Sequence, residues 1–350
     1  MGRLFAQIGL PSAGDTAPSS SLMNISSFGY RFVSQVAGSG SRLVVLALAL
    51  GCAGASSSAS SPGPGDARTA VAATHGMRRS VPGLSSPESA LYDPVADVYF
   101  VSNLAGSPVA KDGEGFVSRV SPDGKLLALR FADGHDAGRA EHLDAPKGLA
   151  LIGRVLFAAD IDVVRRFDAD TGASKGSIAV PGAVFLNDLS AGPDGALFVT
   201  DSALRESDGN TPSSKDDAVF RIDEPTGAAR VHKVAQGDSL GHPNGIVALA
   251  DRLEVVSFGT GEWLTLGLDG VVRARLKLPG GALDGLIALE DGTLVASSWA
   301  TSSLYQFGVD RAPRLAAADL PSPADIGYDG KRHVVLVPRM LSNELVLLSL

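Results

Sequence analysis

The sequence predicts an all-β protein, a six-bladed β-propeller of four-stranded antiparallel blades closed by an N-terminal outer strand. Three observations predict it. One frame recurs six times over the last three-quarters of the chain. The recurrences stand 40 to 59 residues apart. Each holds short apolar strands separated by tight turns, enough for one or two hairpins.

Composition fits that class. Of 350 residues, 41 are Gly and 20 Pro, a turn-rich content, and 45% are hydrophobic, enough for a core. The formal net charge of −8 argues against a nucleic-acid partner, which would call for a basic face. A single cysteine excludes an intramolecular disulfide framework and any Cys-rich metal cluster. No apolar run approaches the roughly 18 residues of a membrane span.

The first residues read differently. Arg31 and Arg42 precede the apolar run Leu43 to Leu50, followed by Gly51 and Cys52. Basic residues, a short apolar run and small residues describe an export signal. Its end, Ala49-Leu50-Gly51-Cys52, resembles the bacterial lipobox, which implies lipidation of Cys52; a simply cleaved signal is the alternative, and Met23 an alternative start. The expected organisation is an export signal over 1–52, a Ser/Gly/Pro-rich linker over 53–73 and the propeller over 74–350. The chain is then exported, as a membrane-anchored lipoprotein or a periplasmic or secreted protein. It meets a membrane only through its lipid.

The repeats run in order. They open at Glu88 (ESALYDPVADVYFVSN), Lys147 (KGLALIGRVLFAADI), Asn187 (NDLSAGPDGALFVTD), Asn244 (NGIVALADRLEVVSFG), Asp284 (DGLIALEDGTLVASSW) and Asp325 (DIGYDGKRHVVLVPR). In each, a polar opener leads an apolar strand, a turn such as Asp291-Gly292, and a second strand. Further hairpins start near Phe116, Val163, Ala218, Trp263 and Ser303. The sixth repeat ends in ELVLLSL, its third strand, so residues about 74–83 are expected to supply the fourth and remove an open edge.

Hairpin geometry puts all six openers on one face, together with the loops joining second to third strands. Two of those loops, 103–115 and 202–217, are long and rim that face.

The openers Glu88, Lys147, Asn187, Asn244, Asp284 and Asp325 converge on the axis. Glu88, Asn187, Asn244 and Asp284 offer oxygen alone, which suits a hard divalent ion: Ca²⁺, Mg²⁺ or Mn²⁺, with Zn²⁺ less natural without nitrogen or sulfur. The plain alternative is polar turn chemistry at strand starts. Order and blade positions of these four resemble the gluconolactonase, senescence-marker-protein (regucalcin) and luciferin-regenerating-enzyme family of six-bladed propellers, over about residues 80–350. That resemblance implies one divalent cation held by Glu88, Asn187, Asn244 and Asp284. It also implies water attack on the metal-polarised carbonyl of a small-molecule lactone or related ester, with Asp284 as candidate base. The sequence departs from the family at Glu88-Ser89-Ala90, where Glu-Gly-Pro is usual, and no substrate arginine is located. The alternative function is therefore a non-catalytic exported propeller that binds a small ligand, a glycan or a protein.

Other residues on that face are candidates for substrate or supporting contacts. Lys147 opposes a cation and points outward or toward substrate, with Asp325 as its expected counter-charge. His242 lies two residues before Asn244, with a solvated loop histidine as the plain reading. Trp299 ends a strand and lines the pocket or packs in the core. Asn103, Asp201 and Arg339 end second strands. Gly237 to Gly241 spells G-x-S-x-G, but no helix follows, so Ser239 reads as a surface turn. The sequence is silent on oligomeric state.

Overall fold

Glycine- and aspartate-bearing turns cut the chain into strands of three to seven residues across the propeller, and hairpin pairing assembles them four at a time. The computed structural model describes residues 24–25, 30–31, 78–135, 141–205, 211–308 and 310–350. Two units divide the chain, Met1–Ser58 and Ala59–Leu350. In the first, β1 (Asn24–Ile25) pairs antiparallel with β2 (Tyr30–Arg31). The rest of the expected export signal and the linker, with Cys52, lie outside the described residues.

The second unit is a six-bladed β-propeller. It opens with β3 (Arg78–Pro82). Blade 1 is β4 (Pro87–Asp93), β5 (Val98–Asn103), β6 (Phe116–Val120) and β7 (Leu126–Ala132). Blade 2 is β8 (Pro146–Ile152), β9 (Val155–Asp160), β10 (Val163–Asp168) and β11 (Ser174–Ala179). Blade 3 is β12 (Leu186–Ala191), β13 (Leu197–Asp201), β14 (Ala218–Asp223) and β15 (Arg230–Gln236). Blade 4 is β16 (Pro243–Ala248), β17 (Arg252–Ser257), β18 (Glu262–Gly267) and β19 (Val272–Lys277). Blade 5 is β20 (Leu283–Ala288), β21 (Leu294–Ser298), β22 (Ser303–Phe307) and β23 (Arg314–Ala317). Blade 6 is β24 (Gly327–Asp329), β25 (Val334–Arg339) and β26 (Glu344–Ser349), and β3 pairs antiparallel with β26 as its fourth strand. Among the described residues the helices are single 3₁₀ turns, Asp238–Leu240 and Met340–Ser342, and none is long and apolar enough to cross a membrane.

The core lies between blades. Each of the six seams holds one apolar cluster. Phe100, Leu156 and Phe167 sit between blades 1 and 2; Phe157, Leu197 and Phe220 between blades 2 and 3. Trp263, Leu286 and Phe307 fill the seam of blades 4 and 5. Each fully buried Leu or Phe contributes about 1.5–3 kcal/mol, so the seams hold the ring together. The outer strand β19 is half-buried on one side and exposed on the other, as its alternating exposure shows.

The innermost strands approach each other closely. A Cβ on Gly245 would lie 2.5 Å from the Leu286 backbone nitrogen, and one on Gly285 only 2.3 Å from that of Ile326. Glycine after the opener lets neighbouring inner strands meet around the axis.

Candidate functional site

Five of the six inner strands enter their sheets through a register shift at the same place: between Pro87 and Ala90, Pro146 and Leu149, Leu186 and Leu189, Pro243 and Ile246, and Leu283 and Leu286. Each irregularity spans the opener and the residue after it. Bulges of this kind re-aim side chains. Hydroxyls on the second strands fasten them. Ser102 Oγ accepts from the Ser89 amide at 2.8 Å, Thr200 Oγ1 from the Asp188 amide at 2.9 Å, and Ser297 Oγ from the Gly285 amide at 2.8 Å. Thr200 and Ser297 also donate to the next blade, at Asn244 O and Ala324 O. The polar openers are therefore held by two blades at once.

Glu88, Asn187, Asn244 and Asp284 are all buried, at 4–5% exposure. Three of them carry an oxygen that is buried and lacks a hydrogen-bond partner: Glu88 Oε2, Asn244 Oδ1 and Asp284 Oδ1. Asn187 donates Nδ2 to Ser202 Oγ at 2.9 Å, and its carbonyl oxygen is the atom left for a ligand. Asp284 takes a 2.6 Å bond from Trp299 Nε1 on Oδ2, and the Asn244 amide lies beside it. Trp299 thus belongs to this centre.

Electrostatics tie the group together. Burial, then the charge of Asp325, pushes the Asp284 carboxyl up to about 8. Burial, then Asp284 and Asp325, raises Glu88 well above the ordinary range, against the lowering effect of Lys147. Lys147 is itself buried, with its ammonium 4.2 Å from the Phe185 ring centre and 3.1 Å from Ala145 O. Burial pulls it down to about 8 against the attraction of Glu88.

Two placements correct the sequence-based expectation. Asp325 does not balance Lys147, whose largest attraction is to Glu88. Asp325 lies two residues ahead of β24, donates its amide to Glu88 O at 2.8 Å and accepts from Ser89 Oγ. His242 is no solvated loop residue, being 1% exposed. Its Nδ1 lies 2.6 Å from Ser202 O and 3.0 Å from Asp217 Oδ1, and its Nε2 3.1 Å from Thr211 O. It bolts the 211–217 stretch to the strand that carries Asn244.

Sequence reasoning passed over Asp188 and Ser89, each one residue beyond an opener. Asp188 is buried, accepts from the Ile246 and Leu189 amides, and hydrogen-bonds Asp325. Burial lifts it to about 7 against those amides. The Asn-Asp pair at the start of blade 3 was the available signal.

Asn103, Asp201 and Arg339 are taken up by contacts of their own, although the Asp201 charge also acts on Lys147. Asn103 Oδ1 accepts from the Ser85 amide, and Asp201 accepts from the amides of Val184, Phe185 and Ala203. Both hold the loop that enters their own blade. Arg339 pairs with Glu344. Ser239 stands in the Asp238–Leu240 turn, its carbonyl bound by Arg275.

The donor set fits a hard cation. Unpartnered buried oxygens are costly unless something fills the gap, and three of the four proposed ligands present one. Among the described residues no group of three or more His, Cys, Asp and Glu side chains could hold a metal by itself. The proposed set contains two such residues, with two amides, so its case rests on mixed oxygen donors.

No family model matches the sequence, nor does any curated protein. Solved structures share the fold. A gluconolactonase from Xanthomonas campestris matches with a TM-score of 0.58 at 19% identity, over 81% of this chain and 93% of that one. The virginiamycin B lyase of Staphylococcus aureus matches at 0.54 and 14% identity, over 78% and 99%. Regucalcin of Agrobacterium tumefaciens, a calcium-binding protein, matches at 0.53 and 14% identity, over 76% and 90%. At these identities the likeness is one of fold.

Proposed function

We propose that the axial centre binds one divalent cation, Ca²⁺ ahead of Mg²⁺, Mn²⁺ or Zn²⁺, and hydrolyses a small-molecule lactone or related ester. The observation that carries this reading is the trio of buried, unpartnered oxygens on Glu88, Asn244 and Asp284. The gluconolactonase and calcium-binding regucalcin among the structural neighbours support the substrate class and the choice of ion.

Glu88, Asn187, Asn244 and Asp284 would hold the ion, which when bound supplies Lewis acidity toward a carbonyl oxygen. Asp284 is the group that takes the proton of the attacking water. Trp299 Nε1 fixes its Oδ2 and leaves Oδ1 for the centre. The hydroxyls of Thr200, Ser202 and Ser297 keep the inner strands in place, so the ligand atoms need no reorganisation. Hydrolysis of a lactone panel before and after exhaustive chelation tests the reading. Turnover should vanish and return with Ca²⁺; turnover undiminished without the ion overturns it.

A second reading is favoured by Lys147, an ammonium already facing Glu88: a propeller that binds a small ligand, glycan or protein without turnover. It expects metal-free protein to keep its partner.

Residues 1–52 act in this proposal as an export signal with lipidation at Cys52, and 53–73 as the tether. Labelled fatty acid should enter the protein and fail to enter the Cys52→Ser variant; equal labelling of both removes the anchor.

A further inference from the structure

We propose that the substrate carries an apolar chain or ring rather than several hydroxyls, an inference that rests on the hydrolase reading above. The residue after each second strand lies on the opener face, one per blade: Leu104, Ile161, Ser202, Phe258, Trp299 and Met340. Five of the six are apolar. Leu104, Ile161 and Met340 share one cluster with Ala145 and Ala324, which stand one or two residues before the openers of blades 2 and 6, and Trp299 packs against it. Phe258 meets Trp299 edge to face at 6.5 Å between ring centres. Trp299 in turn touches Asp284. An apolar collar is therefore joined directly to the polar centre.

The collar has little to offer a polyol. Ser202 Oγ already donates to Pro243 O and accepts from Asn187, and Trp299 Nε1 is given to Asp284. Arg339, the arginine nearest Met340 in sequence, is paired with Glu344. Leu104, Ile161 and Met340 are buried behind Phe258 and Trp299, which are half-buried, and hydroxyls pressed against those two rings would lose water without a replacement partner, whereas an alkyl or aryl group would be dehydrated with gain. A polar reacting carbonyl with an apolar periphery matches a polar floor with an apolar wall.

The Ca²⁺-loaded full chain tests this with δ-gluconolactone, δ-valerolactone and δ-decanolactone as substrates. A hexyl-substituted cyclopentanone, which cannot be cleaved, serves as the binding probe, read by tryptophan fluorescence. The expected result is kcat/KM rising about fourfold per buried methylene from valerolactone upward, with gluconolactone slowest. Phe258→Ser should lower the decanolactone value about tenfold more than the valerolactone value, a split that general misfolding would not produce. Gluconolactone turned over as fast as decanolactone overturns the inference and leaves the hydrolase reading standing. If no lactone is cleaved, saturable binding of the cyclopentanone upholds the ligand class while the hydrolase reading falls. Absence of both cleavage and binding overturns the two together.

Discussion

The two ends of the inner strands treat buried acids in opposite ways. At the turn end, Asp93 and Asp329 are fully buried and fully partnered. Asp93 takes two bonds, 2.9 and 2.8 Å, from Arg154 Nη1, and Asp329 accepts from Tyr99 Oη at 2.7 Å and Arg332 Nη1 at 2.9 Å. At the opener end, Glu88, Asp188, Asp284 and Asp325 crowd one another, and the ammonium of Lys147 acts on Glu88 among them. The same fold supplies an arginine to an acid where only structure is at stake. That no arginine among the described residues does so for the acids at the axis is what the proposed ligand site would explain.

That contrast is broken most sharply by one substitution at each end. Asp284→Asn should cut lactone turnover by about 10²–10⁴-fold. It should leave the melting temperature of cation-free protein little changed at neutral pH, because Asp284, pushed up to about 8, already holds its proton there and Asn replaces a neutral group. Asp329→Ala should do the reverse. It strands the buried Tyr99 hydroxyl and takes one of two carboxylate partners from Arg332, which keeps Asp97, and should cost about 2–3 kcal/mol of stability for the unpaired buried hydroxyl and the lost charged hydrogen bond. Denaturant melts of both variants, with and without Ca²⁺, check the pair. A large stability loss in Asp284→Asn would mean the axis is a structural network like the other end.

Protons sharpen the comparison next. In the cation-free protein Asp284 is pushed up to about 8 and Asp188 to about 7, so both hold protons at lower pH. These folded values lie above those of an unfolded chain. Burial of the acids therefore lowers stability as pH rises from about 4 toward 8, and a cation that binds the carboxylate form restores it. Displacing the Asp284 proton makes affinity fall about tenfold for each pH unit below 8, and a proton on Glu88, also raised by burial, would steepen the slope. Calorimetric Ca²⁺ titrations between pH 6 and 9 read the slope; an affinity flat across that range removes Asp284 from the ligand set.

The fold was legible because a propeller repeats its grammar. Turns such as Asp291-Gly292 and Asp329-Gly330, with an apolar strand on either side, recur often enough to count blades. Strand starts at Phe116, Val163, Ala218 and Ser303 fall where the pattern puts them. The centre was legible in part. Openers could be named, since a polar residue ahead of an apolar run stands out. Asp188 was marked only by its place directly after an opener, and in a regular strand that residue points to the opposite side; the shift between Leu186 and Leu189 brings both into the centre. The partners of Lys147 and His242 could not be read, for they come from distant chain: Glu88 lies in the preceding blade, and Asp217 at the end of a long loop.

The smallest expected effect concerns that loop, and it asks whether the opener face is fastened as firmly as the turn face. Both ring nitrogens of His242 face acceptors: Ser202 O and Asp217 Oδ1 on one side, Thr211 O on the other. Neutral imidazole has one donor and cannot serve both, so this arrangement calls for the charged ring. Burial works against the charge, but the bond and charge of Asp217 and the two carbonyls outweigh it, and the folded pKa is raised. A raised histidine value means the stabilisation is complete below the unfolded pKa of about 6.5 and fades as pH rises through the folded value. His242→Gln should therefore cost stability in acid and progressively less in alkali, by no more than about 1–2 kcal/mol for lost hydrogen bonds to a charged group. Arg154 and Arg332 at the turn end stay charged throughout, so Asp329→Ala should show no such fading. Parallel melts of the two variants from pH 5.5 to 9 decide it: a constant penalty in His242→Gln would mean the ring is held neutral and the latch is packing alone.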